Sequence, residues 1–219
     1  MRKTVDALDA LSLDQATFLV LDFETTTPPA RPPEPIELAA LRIGPGLRID
    51  HTVEVSWLIR PPEDAPLTTF DTRQTGIRAD DVREALSVQD ILLQLEKLID
   101  QRPALLVAHH ARYDYAILQR FASACPFVAS LPCIDTIPLA KRVLPALSNY
   151  KLDTLAQHFA LPIPVARHRA FPDVQLTVAV FLRLVQAPNA PTTIADLRTL
   201  AGVGPKSAVP EPAQQLRLW

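Results

Sequence analysis

The chain has 219 residues, 48% of them hydrophobic, which suits one ordinary domain with appendages around a single core. Its formal net charge of −2 excludes a strongly basic protein that coats nucleic acid, although a local positive groove beside an acidic site would not register in that sum. Cys125 and Cys133 make neither a disulfide framework nor a zinc spacing and suit a reducing compartment; no run nears the ~18 apolar residues of a membrane span and no signal-peptide pattern follows Met1-Arg2-Lys3, so a cytoplasmic chain that does not cross a membrane is expected.

Taken in order, residues Val5 to Ala16 space Val5, Leu8, Leu11 and Leu13 among Asp6, Asp9 and Asp14. This reads as a weak amphipathic helix, an N-terminal extension over residues 1–16 lying outside the core. Phe18 to Thr26 is an apolar run rich in branched and aromatic side chains and closed by threonines, which predicts a buried strand. Residues two apart on a strand share a face. Asp22 and Glu24 therefore point the same way at its carboxyl end, while Phe23 faces the other side, where core packing is its simplest role. Two neighbouring carboxylates repel unless a cation or proton intervenes, so the pair is either solvated at a strand end or part of a metal site.

The prolines of Thr27 to Pro33 make a stiff loop. Ile36 to Ile43 and Thr52 to Ile59 read as strands separated by Gly44-Pro45-Gly46, completing an antiparallel meander. Pro61 to Thr75 reads as loop, and Asp80 and Asp81 open a short helical turn. Helical spacing follows over Val88 to Ile99, Tyr113 to Phe121, Ile137 to Val143, Leu152 to Phe159 and Ala170 to Val185, with short strands at Leu105 to Ala108 and Cys133 to Asp135. The sum is an α/β domain: a central mixed sheet of five strands flanked by helices. From Ala187 the composition turns to Pro, Ala, Thr and Gln, predicting a mostly extended tail. Leu197 to Lys206 is similar to the first half of a helix-hairpin-helix, but Pro210 and Pro212 would break the second helix, which favours chance.

Three polar clusters adjoin these elements. Val107 to Asp114 carries a buried strand into a polar turn, and Asp114 falls in the first turn of the next helix, where a cap and a ligand are both reasonable. In His168 to Asp173, Pro172 is tolerated in a helix's first turn, which puts Asp173 near the helix start and His168 in the loop before it. Asp135-Thr136 reads as the cap of the following helix.

Asp22-x-Glu24, then Asp114, then His168 five positions before Asp173 resembles the DEDDh family of 3′-to-5′ exonucleases, the group that includes the proofreading subunits of bacterial replicative polymerases. The resemblance spans about residues 17 to 185 and extends to Ile36-Glu37-Leu38-Ala39-Ala40-Leu41, Thr75-Gly76-Ile77-Arg78 and Asn149 to Ala156. Histidine at 168, with this spacing, is closer to the histidine class than to its tyrosine sister class. The chain departs from the family at His110, where Asn is usual, and at Thr27, where Gly often stands.

The resemblance implies a ribonuclease H-like fold over residues 17–186 and release of nucleoside 5′-monophosphates from the 3′ end of single-stranded or mispaired DNA, in replication proofreading or repair. It also implies two Mg²⁺ or Mn²⁺ ions, as oxygen-only ligands suit, held by Asp22, Glu24 and Asp173 with Asp114 assisting. One ion would activate water and the other would stabilise the departing 3′ oxygen. His168 would take the proton from the attacking water, since an unperturbed imidazole near pKa 6.5 is largely neutral at physiological pH. Phe23, Thr25, His109 and Tyr113 become candidate substrate contacts; Tyr113 and Tyr115 can stack on a terminal base or simply pack. RNA trimming and a catalytically inactive binding module stand as alternatives. Residues 187–219 form the tail, and its last five residues, with Gln215, Leu216, Leu218 and Trp219, look like the peptide by which bacterial replication proteins bind the sliding clamp. A DNA polymerase is a further expected partner.

Overall fold

The computed structural model describes residues 8–28, 31–99, 104–165 and 168–204. In chain order its elements are β1 (Phe18–Thr25), β2 (Pro35–Gly44), β3 (Arg48–Arg60), α1 (Thr69–Thr75), α2 (Ala79–Val82), β4 (Leu86–Ser87) and α3 (Val88–Leu98). There follow β5 (Leu105–Ala108), α4 (Arg112–Arg120), α5 (Pro126–Ser130), β6 (Cys133–Asp135), α6 (Thr136–Val143), α7 (Leu152–His158), α8 (Ala170–Val185), α9 (Ile194–Ala201) and β7 (Gly202–Val203). The strands form one seven-stranded mixed sheet in the order β4-β3-β2-β1-β5-β6-β7. β1, β2 and β3 are the expected antiparallel meander, whereas β5 and β6 continue parallel from β1.

Strand alternation sorts the core into two layers. Phe18 and Val20 pack with helices α6 to α9, with Phe181 set edge-on to Phe18 at 5.0 Å between centroids. Leu19, Leu21 and Phe23 pack on the opposite face with α3, α4 and α5. Because β1 is covered on both faces, it reads as a continuous apolar run rather than an alternating one. Helix α8 lies across β1 and β2, and this brings its first turn to the carboxyl end of β1.

Four expectations change. The sheet has seven strands rather than five, because β4 and β7 are two-residue edge strands, too short to carry a period. Residues 69–75 are helical, not loop: the Thr68 hydroxyl accepts from Asp71 N–H at 3.2 Å, Asp71 Oδ2 accepts from Thr68 N–H at 2.8 Å, and Gly76 ends the helix at φ +73°. The segment after Ala187 does not run extended throughout. α9 buries Ile194, Leu197 and Ala201 in the α8-side core, and β7 pairs antiparallel with β6, which uses Gly202-Val203 as strand rather than as a DNA-binding hairpin turn. Finally, the described part of the N-terminal segment is part of the core, since Leu8, Leu13 and Ala16 are buried in the same layer; Leu8 and Asp9 are helical and Leu13–Gln15 form a 3₁₀ turn.

Gly202 is required by close approach: a Cβ there would lie 2.4 Å from the Arg198 carbonyl oxygen. The segments at either end of the described chain also meet. Ser12 bridges to Thr193, Ile194 N–H donates to Leu11 O at 3.0 Å, and Arg198 pairs with Asp9. Among the described residues no helix is long and apolar enough to cross a membrane.

Candidate active site

Asp22 and Glu24 follow Phe18 and Val20 at two-residue spacing, so they emerge on the α8 side of β1. β5 pairs with β1 only from Phe18 to Val20 before turning away at Ala108. The Phe23 N–H beyond that point donates instead to Asp114 Oδ1, at 3.0 Å, which ties the first turn of α4 to the end of β1. From the other direction, α8 delivers Asp173 in its first turn, with Pro172 just before it where no intrahelical N–H is needed. Donor atoms of Asp22, Glu24 and Asp173 then lie within 4.8 Å of one another.

Glu24, Asp114 and Asp173 are buried and Asp22 is half-buried. Carboxylates gathered this closely in an interior repel strongly without a counter-charge. Burial, and after it the charge of Asp22, holds the Asp114 carboxyl well above the usual range. An all-oxygen donor set under this strain fits a hard divalent cation, which relieves the repulsion and suits carboxylate ligands.

The turn between β5 and α4 is built around His110, whose φ of +62° lies in the left-handed region that Asn, Asp and His enter more readily than other side chains. The departure from Asn at this position is therefore tolerated by the backbone. His110 N–H donates to Asp135 Oδ1 at 3.2 Å, and the ring stacks on Tyr113 at 4.8 Å with a 34° tilt. Burial, then the nearby Arg112 charge, lowers the His110 pKa and favours the neutral ring. Asp135 Oδ1 also accepts from Ile137 N–H at 2.9 Å, the cap foreseen for α6, and its carboxyl is raised by burial. His109 Nδ1 lies 2.7 Å from the Thr136 hydroxyl.

His168 sits immediately ahead of α8 with φ +63°, again left-handed. The next residue, Arg169, forms a two-pronged pair with Glu37 of β2, at 2.9 Å through Nε and 2.7 Å through a terminal nitrogen. Hydrogen bonding to Glu37 raises the Arg169 pKa against the effect of burial, and the charges of Glu37, Glu24 and Asp81 add to the rise. At the other departure, Thr27, both N–H and hydroxyl donate to Asp71 Oδ1, at 3.0 and 2.6 Å, so the hydroxyl fastens the loop after β1 to α1.

Asp22, Asp114, His168 and Asp173 open onto one cleft of about 620 Å³. Phe23, His109 and Tyr113 line it too; Thr25 is buried at the end of β1 and does not, and Tyr115 packs into the opposite core layer. Phe23 combines both of its expected roles, since it belongs to that layer and also reaches the cleft. The facing wall, from Lys141 and from Ser148 to Asp153, carries polar groups that sequence reasoning did not single out as contacts, although Asn149 to Ala156 was marked as family-like. There the Lys141 ammonium lies 5.9 Å over the Tyr150 ring, and Asn149 Oδ1 accepts from Lys151 N–H at 3.2 Å and from the Thr154 hydroxyl at 2.7 Å. Gln215, Leu216, Leu218 and Trp219 lie outside the described residues.

A mixed sheet covered by helices on both faces, with acids converging at the carboxyl end of its first strand, defines a ribonuclease H-like α/β domain with a candidate metal centre. Residues 19–181 match the Exonuclease (RNase_T) family, and the chain belongs to it. It is 32% identical over 176 residues to a "DNA polymerase III PolC-type" of Thermotoga petrophila, covering 80% of this chain and 12% of that protein. It is 33% identical over 186 residues to a "DNA polymerase III subunit epsilon-like protein" of Rhodobacter capsulatus, covering 84% of this chain and 26% of that one. The chain thus spans only a small part of the relatives it matches. Among solved structures, Exonuclease X in complex with 5′ overhanging duplex DNA has TM-score 0.62 at 22% identity, over 82% of this chain and 98% of that one. The nuclease domain of 3′hExo, a DEDDh family member bound to rAMP, has TM-score 0.63 at 17% identity, over 84% and 98%. At such identities the likeness concerns the fold.

Proposed function

We propose that this chain is a divalent-metal-dependent 3′-to-5′ exonuclease that removes nucleoside 5′-monophosphates from the 3′ end of single-stranded or mispaired DNA, in proofreading or repair. The convergence of Asp22, Glu24 and Asp173 within 4.8 Å, on a cleft shared with Asp114 and His168, carries this reading. Asp22, Glu24 and Asp173 would hold Mg²⁺ or Mn²⁺, two ions in all, with Asp114 completing the second position. Bound there, the ions supply charge stabilisation at the scissile phosphate and activation of water. His168 accepts the proton of the attacking water, which its place on the cleft wall allows once substrate is bound. Phe23 and Tyr113 offer aromatic surface to the terminal base, and Lys141 and Lys151 put positive charge on the side where the phosphate backbone would enter.

Sequence relatives that are named as polymerase III proteins support DNA over RNA as substrate and a polymerase as partner; the sliding clamp is proposed as a further partner from the Gln215 to Trp219 peptide alone. In that setting Gln215, Leu216, Leu218 and Trp219 tether the domain to the clamp and raise its local concentration at a primer end, in the cytoplasm. The test is release of mononucleotides from 3′-mismatched DNA and from a matched RNA, with Mg²⁺, Mn²⁺ or EDTA. Wild type should degrade the DNA faster, EDTA should stop it, and Asp22→Ala and Asp173→Ala should be folded and inactive. Undiminished nuclease activity in either variant would sink the assignment; preferential RNA decay would move it to exoribonuclease, and no hydrolysis with Mn²⁺ to a binding module.

A further inference from the structure

Glu37 is a buried carboxylate that the reaction does not use. It lies on β2 directly across from Glu24 of β1, on the same sheet face, with its side chain only 2% exposed. An interior carboxylate beside other carboxylates is costly, and a buried ion pair is seldom the most stable filling for such a place. What Glu37 contacts suggests another use. Its two oxygens take both prongs of Arg169, and Oε2 also accepts from Ala170 N–H at 2.9 Å, so that Glu37 caps the start of α8 from a neighbouring strand. Arg169 has no side-chain cap of its own to offer that helix. Its carbonyl in turn accepts from Asp173 N–H at 3.2 Å, and His168, held at φ +63°, directly precedes it.

We infer that Glu37 and Arg169 are positioning residues for the reaction, a clamp that fixes both the left-handed backbone of His168 and the first turn of α8 bearing Asp173 against the strand that carries Asp22 and Glu24. One residue is thereby fastened between the proton acceptor on one side and a metal ligand on the other. A left-handed, non-glycine conformation persists only where its surroundings over-determine it, and the fork at the next residue supplies that constraint. A lysine at 169 keeps the charge but cannot make both contacts in a fixed plane.

The inference rests on the exonuclease reading, and its test separates the two. Wild type, Glu37→Gln, Arg169→Lys, Arg169→Gln and the double variant Glu37→Gln/Arg169→Gln are compared for kcat and KM on a single-stranded oligonucleotide, for calorimetric Mn²⁺ affinity without substrate, and for melting temperature. Each single variant should lose about tenfold or more in kcat and in Mn²⁺ affinity, with KM little changed. The single variant Arg169→Gln strands the buried Glu37 carboxylate, whereas the double variant leaves no unpaired buried charge, so its melting temperature should recover above that of Arg169→Gln while kcat stays low. Recovery of kcat together with melting temperature would show a merely structural pair and overturn the inference. Folded single variants with wild-type kcat and Mn²⁺ affinity would do the same. If wild type itself hydrolyses nothing, the exonuclease reading fails, and Mn²⁺ affinity alone decides on the clamp.

Discussion

At Asp114 burial and hydrogen bonding pull one carboxyl in opposite directions. Its Oδ1 takes the Phe23 N–H left over where β5 turns away, yet burial and Asp22 hold its carboxyl well above the usual range, so ionising it in the folded, metal-free protein is unfavourable. Asparagine keeps the acceptor and removes the charge. Asp114→Asn is expected to lower turnover on the order of 10²-fold or more and to melt above wild type when metal is absent. A gain of about 1 kcal/mol moves the melting temperature of a chain of this size by about 2–4 °C. The sign with pH follows from the raised folded pKa. The native state keeps this proton after the unfolded chain has released it, so the group's contribution to stability falls as pH rises from the unfolded pKa through the folded one. The advantage of Asp114→Asn should therefore be largest at neutral pH and fade toward pH 4, as read by metal-free melts across that range. The acids themselves were legible because each sits in a local pattern: Asp22 and Glu24 at period two, Asp173 one residue past a first-turn proline. Glu37 and Arg169, 132 positions apart, make a pair that no local pattern can announce.

At the scale of elements, the helices α3, α4, α6, α7 and α8 were readable from the period of their buried face, and β1, β2, β3, β5 and β6 as short runs rich in apolar residues and bounded by polar or turn residues. α1 was not read, although Thr68-x-x-Asp71 followed by Gly76 is a start and stop signal; the flanking prolines masked it. α9 and β7 fell in a stretch whose composition resembles a tail, and tertiary contacts with α6 and β6 decide their structure. Gly202 is the hinge between these two elements. Gly202→Ala must push the new methyl away from Arg198 O, and the expected cost is about 1–3 kcal/mol in urea unfolding. Active-site metal affinity should be preserved in the same variant, because Gly202 pairs with Ile134 at the β6 edge of the sheet and not with β1, α4 or the first turn of α8.

For the molecule as a whole, folding gathers Asp22, Glu24 and Asp173 into a cluster whose repulsion a divalent cation would relieve. Wild type should gain stability from Mg²⁺ or Mn²⁺ by simple mass action, about 2.7 kcal/mol at a hundredfold excess over the dissociation constant. In differential scanning fluorimetry this is a rise of roughly 5–10 °C, reversed by EDTA and absent from Asp22→Ala; an equal rise in that variant would place the bound ion elsewhere. The sheet's two layers make this possible, since the helices that bury Leu19 and Leu21 on one face and Phe18 and Val20 on the other hold β1 firmly while its carboxyl end presents Asp22 and Glu24.

The meeting of Ser12 with Thr193, backed by Arg198 on Asp9, has a further consequence. Residues 9–12 are thereby stitched to residues 193–198, so two stretches distant in sequence close one side of the described domain on each other and neither can peel away without breaking bonds to the other. Fraying from either stretch is therefore resisted by the other, which leaves the strand bearing Asp22 and Glu24 undisturbed.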